Sequence, residues 1–289
     1  MVATPSIHDS TFVNGTHFYK MSGSGNDFVV LDGRSDPSRQ WSAAEIRLLC
    51  DRRNGVGADG LVVLAPAGPE SLRMTYWNAD GSRGAMCGNA ALCCGRLAIQ
   101  LGMATPGQFN LLTDAGDVRV RSPARDNTVE ISLPDIDLPR PFSGVPLAEG
   151  ERWMMFGWAG VPHLVIGVDD IELVDPSGRG RALRHHPSFG GEGANVNFIA
   201  RPRPGERRWL IRTYERGVEA ETLACGTGTV AAAISLAARR EADLPVVFRS
   251  RGGPELRVSA VLDQFRAKDV WLGGQGRLVY EGVWKGSPV

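Results

Sequence analysis

Apolar residues along this chain come in short runs of strand length, broken by Gly, Pro and Asp. The first clear run is "FVVLDG" at 28–33, and "GLVVLAP", "RMTYWN", "FNLLTDAGDVRVRS" and "TVEISLP" continue the pattern to residue 134. After residue 150 it returns in "RWMMFGWAGVPHLVIGVDD", read as paired strands, then in "NVNFIARP", "WLIRTYERG", "PVVFRS", "ELRVSAVL" and "VWLGGQGRLVYEGVW". Helical spacing is confined to "SAAEIRLLCDRR", with Ser42 as N-cap and Glu45 at the capping-box position, and to two apolar segments. Those segments start at Cys87 and Cys225 and run to about Leu101 and Arg240. Strands outnumber helices and each half owns one apolar helix, which predicts an α+β architecture of two halves. Each half wraps a strongly curved mixed sheet around its central helix. The Pro-rich stretch at 133–146 is the expected crossing between domains, dividing the chain into 1–132 with 276–289, carrying Cys87, and 133–275, carrying Cys225. The first seventeen or so residues are polar and unpatterned and read as a loose extension.

The two apolar helices open alike. "MCGNAALCCGRLA" and "ACGTGTVAAAISLA" both place Cys-Gly and a small polar residue before an alanine-containing run. Tyr76 and Tyr214 each stand eleven residues before the cysteine, and Asn78 and Arg216 nine before, which suggests a duplication with two half-sites face to face.

A length of 289 residues fits two domains, and 43% hydrophobic with 22% charged residues is ordinary globular composition. Thirty-two basic residues balance thirty-two acidic ones, so no global charge points to nucleic acid or an anionic membrane, and a small-molecule partner is favoured. Five cysteines without regular spacing, no secretory leader and no apolar stretch long enough to span a bilayer place the chain in a reducing cytoplasm. The Asn14-Gly15-Thr16 sequon is then idle.

Other motifs carry less. "GVGADG" at 55–60 spells a dinucleotide fingerprint, but a helix precedes it and a strand follows, the reverse of what a pyrophosphate site needs. It reads instead as a turn requiring positive φ. No metal-binding pattern appears: Cys93 and Cys94 are adjacent, and His185-His186 lies in a polar loop. Cys50, Cys93 and Cys94 read as inert buried thiols. Cys87 and Cys225, by contrast, would each occupy a helix N-terminus, where free N–H groups and the dipole favour thiolate. Facing N-termini would also aim N–H groups at one carboxylate. A thiolate on one face of an α-carbon could then take its proton while a thiol on the other supplies one, inverting the centre. None of Lys20, Lys268 and Lys285 sits where a pyridoxal phosphate Schiff base would, so the expectation is a cofactor-free, metal-free two-cysteine racemase.

From about residue 18 to 284 the chain resembles the diaminopimelate epimerase family. "KMSGSGNDFVVLD", "DRRNGVGADG", "NADGSRGAMCGNAA", "GVPHLVI", "ANVNF" and "ERGVEAETLACGTGT" fall in the family's order. The resemblance implies two pseudo-symmetric domains, each a barrel-like sheet around a helix, with the site in the cleft between them. It implies a PLP-independent isomerase that interconverts LL- and meso-diaminopimelate for lysine and cell-wall synthesis. It makes Cys87 and Cys225 the acid/base thiols and assigns the N–H groups of Gly88, Asn89, Gly226 and Thr227 to the reacting carboxylate. Asn26 would line the reacting centre. Asn78, Asn195 and Arg216 would clamp the distal carboxylate, Glu215 would meet the distal ammonium, and His163 would help to set thiol protonation. Departures are Val161 where many members have Asn, Gly60 where some have Gln, "CGNAAL" for "CGNGAR", and one extra residue in "ERGVEAETLACG". A racemase of another amino acid, such as histidine or diaminobutyrate, and a thiol redox switch or binding protein are the competing readings. The expected partner is a small amino acid, with neither nucleic acid nor membrane; a homodimer is an assembly the sequence leaves open.

Overall fold

The computed structural model describes residues 15–122, 128–253 and 255–285. The extension as far as residue 14, with Asn14 of the sequon, lies outside the described residues. In the first half, β1 (Thr16–Gly23), β2 (Asn26–Asp32), α1 (Ala43–Cys50), β3 (Gly60–Gly68), β4 (Ser71–Asn78) and β5 (Arg83–Gly84) precede α2 (Gly88–Gln100). Then come β6 (Gln108–Thr113), β7 (Gly116–Arg121) and β8 (Thr128–Leu133). The crossing holds two short strands, β9 (Ile136–Asp137) and β10 (Arg140–Pro141). In the second half β11 (Glu151–Ala159), β12 (Val161–Val168), α3 (Arg181–Arg184), β13 (Asn195–Ala200), β14 (Trp209–Glu215) and β15 (Ala220–Thr222) precede α4 (Gly226–Ala238). The chain closes with β16 (Val246–Ser250), β17 (Glu255–Leu262) and the long β18 (Arg266–Trp284).

The α+β expectation holds, and strand pairing shows how each sheet curves. In the first half β1, β2, β3, β4, β6, β7, β8 and β18 pair in succession, and β18 pairs back onto β1, a closed ring. In the second, β11, β12, β13, β14, β16, β17 and β18 follow in the same manner, with β9 on β18 and β10 on β11 at the closing side. Even the parallel pairs correspond: β2 with β3 matches β12 with β13, and β4 with β6 matches β14 with β16. Strand β18 is shared, since Val270–Gln275 pair with β8 while Leu256–Ser259 of β17 pair with Trp271–Gly274.

A ring of eight strands encloses little more than its own side chains. A helix fits inside only if its own side chains are small, and α2 ("GNAALCCGRLAIQ") and α4 ("GTGTVAAAISLAA") are built from Gly, Ala, Cys, Ser and Thr around a few large apolar residues. Thirteen residues make a helix of about 20 Å, the length of a six-residue strand. Leu92 and Leu97 of α2 and Ile234 and Leu236 of α4 are buried with strand residues from both rings in one continuous core.

The capping box at Ser42 and Glu45 forms as read. Its helix stops at Cys50, because Asp51 accepts from the N–H groups of Arg53 and Asn54 and turns the chain out. The "GVGADG" turn joins α1 to β3, with Gly57 at φ +78°. Strand β1 was absent from the sequence reading, because it carries a buried lysine: Lys20 is 6% exposed, and its ammonium is held by Asp27 at 2.7 Å and by the Gly57 carbonyl. The duplication holds for the cysteines but is offset by one residue upstream. Inward positions of β4 are Leu72, Met74 and Tyr76, whereas those of β14 are Trp209, Ile211 and Thr213; Tyr214 packs in a separate cluster on the outer face. Thus Tyr76 corresponds to Thr213 and Asn78 to Glu215, and the extra residue before Cys225 absorbs the shift.

Candidate active site

Cys87 and Cys225 are the N-caps of α2 and α4. The two N-termini meet at Leu272 in the shared part of β18: a Cβ on Gly88 would lie 3.8 Å from the Leu272 Cδ2, and one on Gly226 only 2.8 Å. A Cβ on Gly226 would also lie 3.9 Å from Oδ1 of Asn89, so the first turns of the two helices face each other. Neither cysteine forms a side-chain capping bond of good geometry, so the first-turn N–H groups are oriented towards the space in front of the two helices. A cavity of about 420 Å³ lies near them, bounded mainly by β7, the end of β8 and the start of the crossing, with Met86 and Thr227 from beside the two cysteines; neither cysteine lines it.

The electrostatics differ from the expectation of a resting thiolate. Burial raises the Cys87 thiol; the amides of Ala90 and Asn89 pull the other way, and the carboxylates of Glu215 and Asp59 add to the rise. Burial pushes Cys225 up to about 12, aided by Glu215 and opposed by the Thr227 hydroxyl, 3.6 Å from the sulfur, and the Gly228 amide. The nearby amides favour thiolate, but burial is the larger influence on each sulfur, although Cys87 as a residue is only half-buried. Cys50, Cys93 and Cys94 are buried in the core as expected, their thiols raised mainly by burial.

On the Cys87 side an amide relay is anchored by a carboxylate. Asp59 Oδ2 accepts from Asn26 Nδ2 at 2.9 Å, and Asn26 Oδ1 accepts from Asn89 Nδ2 at 2.7 Å. A carboxylate can only accept, so the direction of both amides is set, and Asn89 Oδ1 remains a buried acceptor without a protein partner among the described residues. Arg52 holds the other oxygen of Asp59 at 2.7 Å and also grips Asp27. Asp59 was not singled out in the sequence. The parallel pairing of β2 with β3, Phe28 opposite Gly60, is what brings it to Asn26.

On the Cys225 side the partners are neutral. His163 is fully buried, its pKa lowered to about 3 by burial and then by the Arg216 charge. Asn197 Nδ2 stands 3.2 Å from its Nδ1 and donates to the Leu164 carbonyl at 3.1 Å, while Thr213 Oγ1 donates to Asn197 Oδ1 at 3.0 Å. A Cβ on Gly228 would lie 2.2 Å from Asn197 Oδ1 and 3.3 Å from the Cys225 sulfur, so this glycine lets the amide reach α4 beside the thiol. Asn197 was also missed; it lies two residues from Asn195, on the same face of β13.

The remaining expected residues sit on strand ends nearby. Asn195 Oδ1 accepts from the Arg216 N–H at 2.8 Å, and its Nδ2 donates to the Pro162 carbonyl. The Arg216 guanidinium is partly buried and meets Glu192, an exposed loop residue, at 2.8 Å. Glu215, its carboxyl raised by burial, accepts from the Thr222 hydroxyl at 2.8 Å. Asn78 is held by Tyr76 and Ser82. Val161 is half-buried at the start of β12. His185 and His186 face Glu219 and Ser188 instead.

This two-ring architecture recurs in solved structures. A phenazine biosynthesis protein of the PhzF family from Bacillus anthracis superposes with a TM-score of 0.73 at 12% identity, covering 94% of this chain and 99% of that one. A hydroxyproline epimerase from Agrobacterium vitis, with bound trans-4-hydroxy-L-proline, superposes at 0.64 and 18% identity, covering 96% and 94%. These define the fold class. At the level of sequence, the diaminopimelate epimerase profile matches residues 18–133 and 157–266, and the chain belongs to that family. It is 42% identical to the diaminopimelate epimerase of Gemmatimonas aurantiaca over 277 residues, 92% of this chain and 98% of the relative. It is 36% identical to that of Aquifex aeolicus, over 92% of this chain and 96% of the relative.

Proposed function

We propose that this protein is a diaminopimelate epimerase, an isomerase that inverts one α-carbon of 2,6-diaminopimelate without a cofactor, in the cytoplasm, by two-thiol acid/base chemistry. The observation that carries the mechanism is the meeting of two helix N-termini, each capped by a cysteine, across Leu272. The first-turn N–H groups of Gly88, Asn89, Gly226 and Thr227 take the carboxylate on the reacting carbon and stabilise charge that builds as the C–H bond breaks. The Asn89 Oδ1, fixed as an acceptor by the Asp59–Asn26 relay, suits the neighbouring α-ammonium. One sulfur, as thiolate, takes the α-proton; the opposite sulfur, as thiol, delivers its own to the other face, and the pair exchanges roles in reverse.

Both thiols being raised, the thiolate is the scarce form, and turnover should climb as pH rises above neutrality. Asn195, Arg216 and Asn78 hold the distal carboxylate and Glu215 the distal ammonium. The neutral His163–Asn197 pair orders the first turn of α4 beside Cys225. The cleft lies between units 1–132 with 276–289 and 133–275, a division supported by the passage of β18 from one ring to the other.

Proton exchange by NMR in D2O under reducing conditions tests this. LL-diaminopimelate should gain α-deuterium with inversion, and Cys87→Ala and Cys225→Ala should each lower the rate about 10³-fold or more. Exchange confined to amino acids with one carboxylate would retain the thiols and move the substrate. Activity that required oxidised cysteines would sink the acid/base reading in favour of a redox switch.

A further inference from the structure

Tyr76 is a buried, inward-facing tyrosine of the first ring, and the reaction proposed above does not use it. The residue is 9% exposed, and its ring makes an edge contact with Phe28, with ring centroids 6.2 Å apart. Two glycines form its slot. A Cβ on Gly84 would lie 2.5 Å from the ring, and one on Gly60 would lie 2.6 Å from it and 2.5 Å from the Trp77 carbonyl oxygen. The ring therefore occupies the space into which a side chain at position 60 would project. From that slot the hydroxyl donates to Asn78 Oδ1 at 2.8 Å, while Asn78 Nδ2 donates to Ser82 Oγ at 2.9 Å. The amide is thus gripped at both ends, with one N–H of Nδ2 left to give.

At the corresponding position of the second ring, Thr213 also donates its hydroxyl to an amide oxygen, but that of Asn197 on the neighbouring strand, the counterpart of Val62 rather than of Asn78. Burial, and then the Cys87 sulfur, raise the Tyr76 phenol.

We propose that Tyr76 is a positioning residue for the substrate: wedged between Gly60 and Gly84, it fixes the Asn78 amide so that an N–H faces the distal carboxylate. The inference rests on the epimerase reading and deepens it. Gly60 becomes one half of a Gly60/Tyr76 pair, because a longer residue at 60 would collide with the ring.

The test is a double-mutant cycle in the intact enzyme. Tyr76→Phe keeps the ring and removes the hydroxyl. It should raise KM for diaminopimelate about three- to tenfold, as expected for loss of one hydrogen bond, with kcat within about twofold of wild type. Asn78→Ala should raise KM at least as much, and adding Tyr76→Phe to it should change KM little further. An unchanged KM in Tyr76→Phe, effects that simply multiply, or a fall in kcat alone would overturn the proposal. A readout independent of turnover separates the two levels. In wild type the Asn78 amide proton bonded to Ser82 should be distinct from its unbonded partner and exchange more slowly, and it should lose that protection in Tyr76→Phe. If wild type turned over no diaminopimelate, the functional reading would fail, and the amide protection would still decide whether Tyr76 orders Asn78; unchanged protection would end the idea.

Discussion

The two rings place the same backbone around the two thiols and fill it with different chemistry. By strand register Phe28, Val62 and Tyr76 in the first ring correspond to His163, Asn197 and Thr213 in the second. At the rim Asn26, Gly60 and Asn78 correspond to Val161, Asn195 and Glu215. Behind Cys87 the inner layer is apolar with one hydroxyl, and polarity is supplied from outside by Asp59 and Arg52. Behind Cys225 the inner layer itself is a hydrogen-bonded chain of neutral groups, and the charge, Glu215, stands at the rim. A scaffold can be duplicated while its polar anchors are not, because the strands need only inward side chains of suitable volume, whereas each amide needs a specific partner. Val161 stands opposite Asn26 in the pseudo-symmetry, so the second ring has an apolar side chain where the first has the Asn26 amide.

That contrast can be broken by experiment. The greatest effect after the thiols themselves is expected from Asp59→Asn, which frees the Asn26 and Asn89 amides to flip. The loss of a charge-assisted bond should lower kcat/KM by about 10–100-fold. Thr213→Val, which removes the neutral counterpart, should cost about tenfold or less. Equal losses would mean that the charged anchor has no special role.

The next effect concerns stability. His163 has a folded-state pKa near 3, below its ordinary 6.5, so the unfolded chain binds the extra proton between those values. Stability from this group is present above about pH 6.5 and falls on acidification towards pH 3, by about 2 kcal/mol at pH 5. Urea unfolding at pH 7 and pH 5 should show that loss in wild type and a smaller one in His163→Gln; the same pH dependence in both would contradict the burial of a neutral imidazole.

Smallest is Glu192→Gln. The exposed Glu192 carboxylate occupies the guanidinium of Arg216. Such a pair is worth about 0–1 kcal/mol, so releasing it should lower KM for diaminopimelate about two- to fivefold. A raised KM would make Glu192 part of the substrate clamp.

Much of this was legible in the residues. Periodicity identified the strands and the two apolar helices, and the repeated Cys-Gly openings marked the thiols. Strand β1 was not legible because its buried Lys20 breaks the alternation, a cost met only by Asp27 and a carbonyl from the turn before β3. The Tyr76–Tyr214 correspondence misled because equal spacing from the cysteine hides a one-residue insertion, and in a strand one residue exchanges inside for outside.

By itself, then, the sequence determined the element types, the position of each cysteine at a helix start, the family and its reaction class, since these depend on local spacing and on residue identity. Only the tertiary structure decided which face each strand turns inward, that Asp59 reaches Asn26, that Asn197 reaches α4, that Tyr76 holds Asn78, and that burial raises both thiols. Each of those depends on hydrogen bonding between segments far apart in the chain, and on how much water the closed rings exclude.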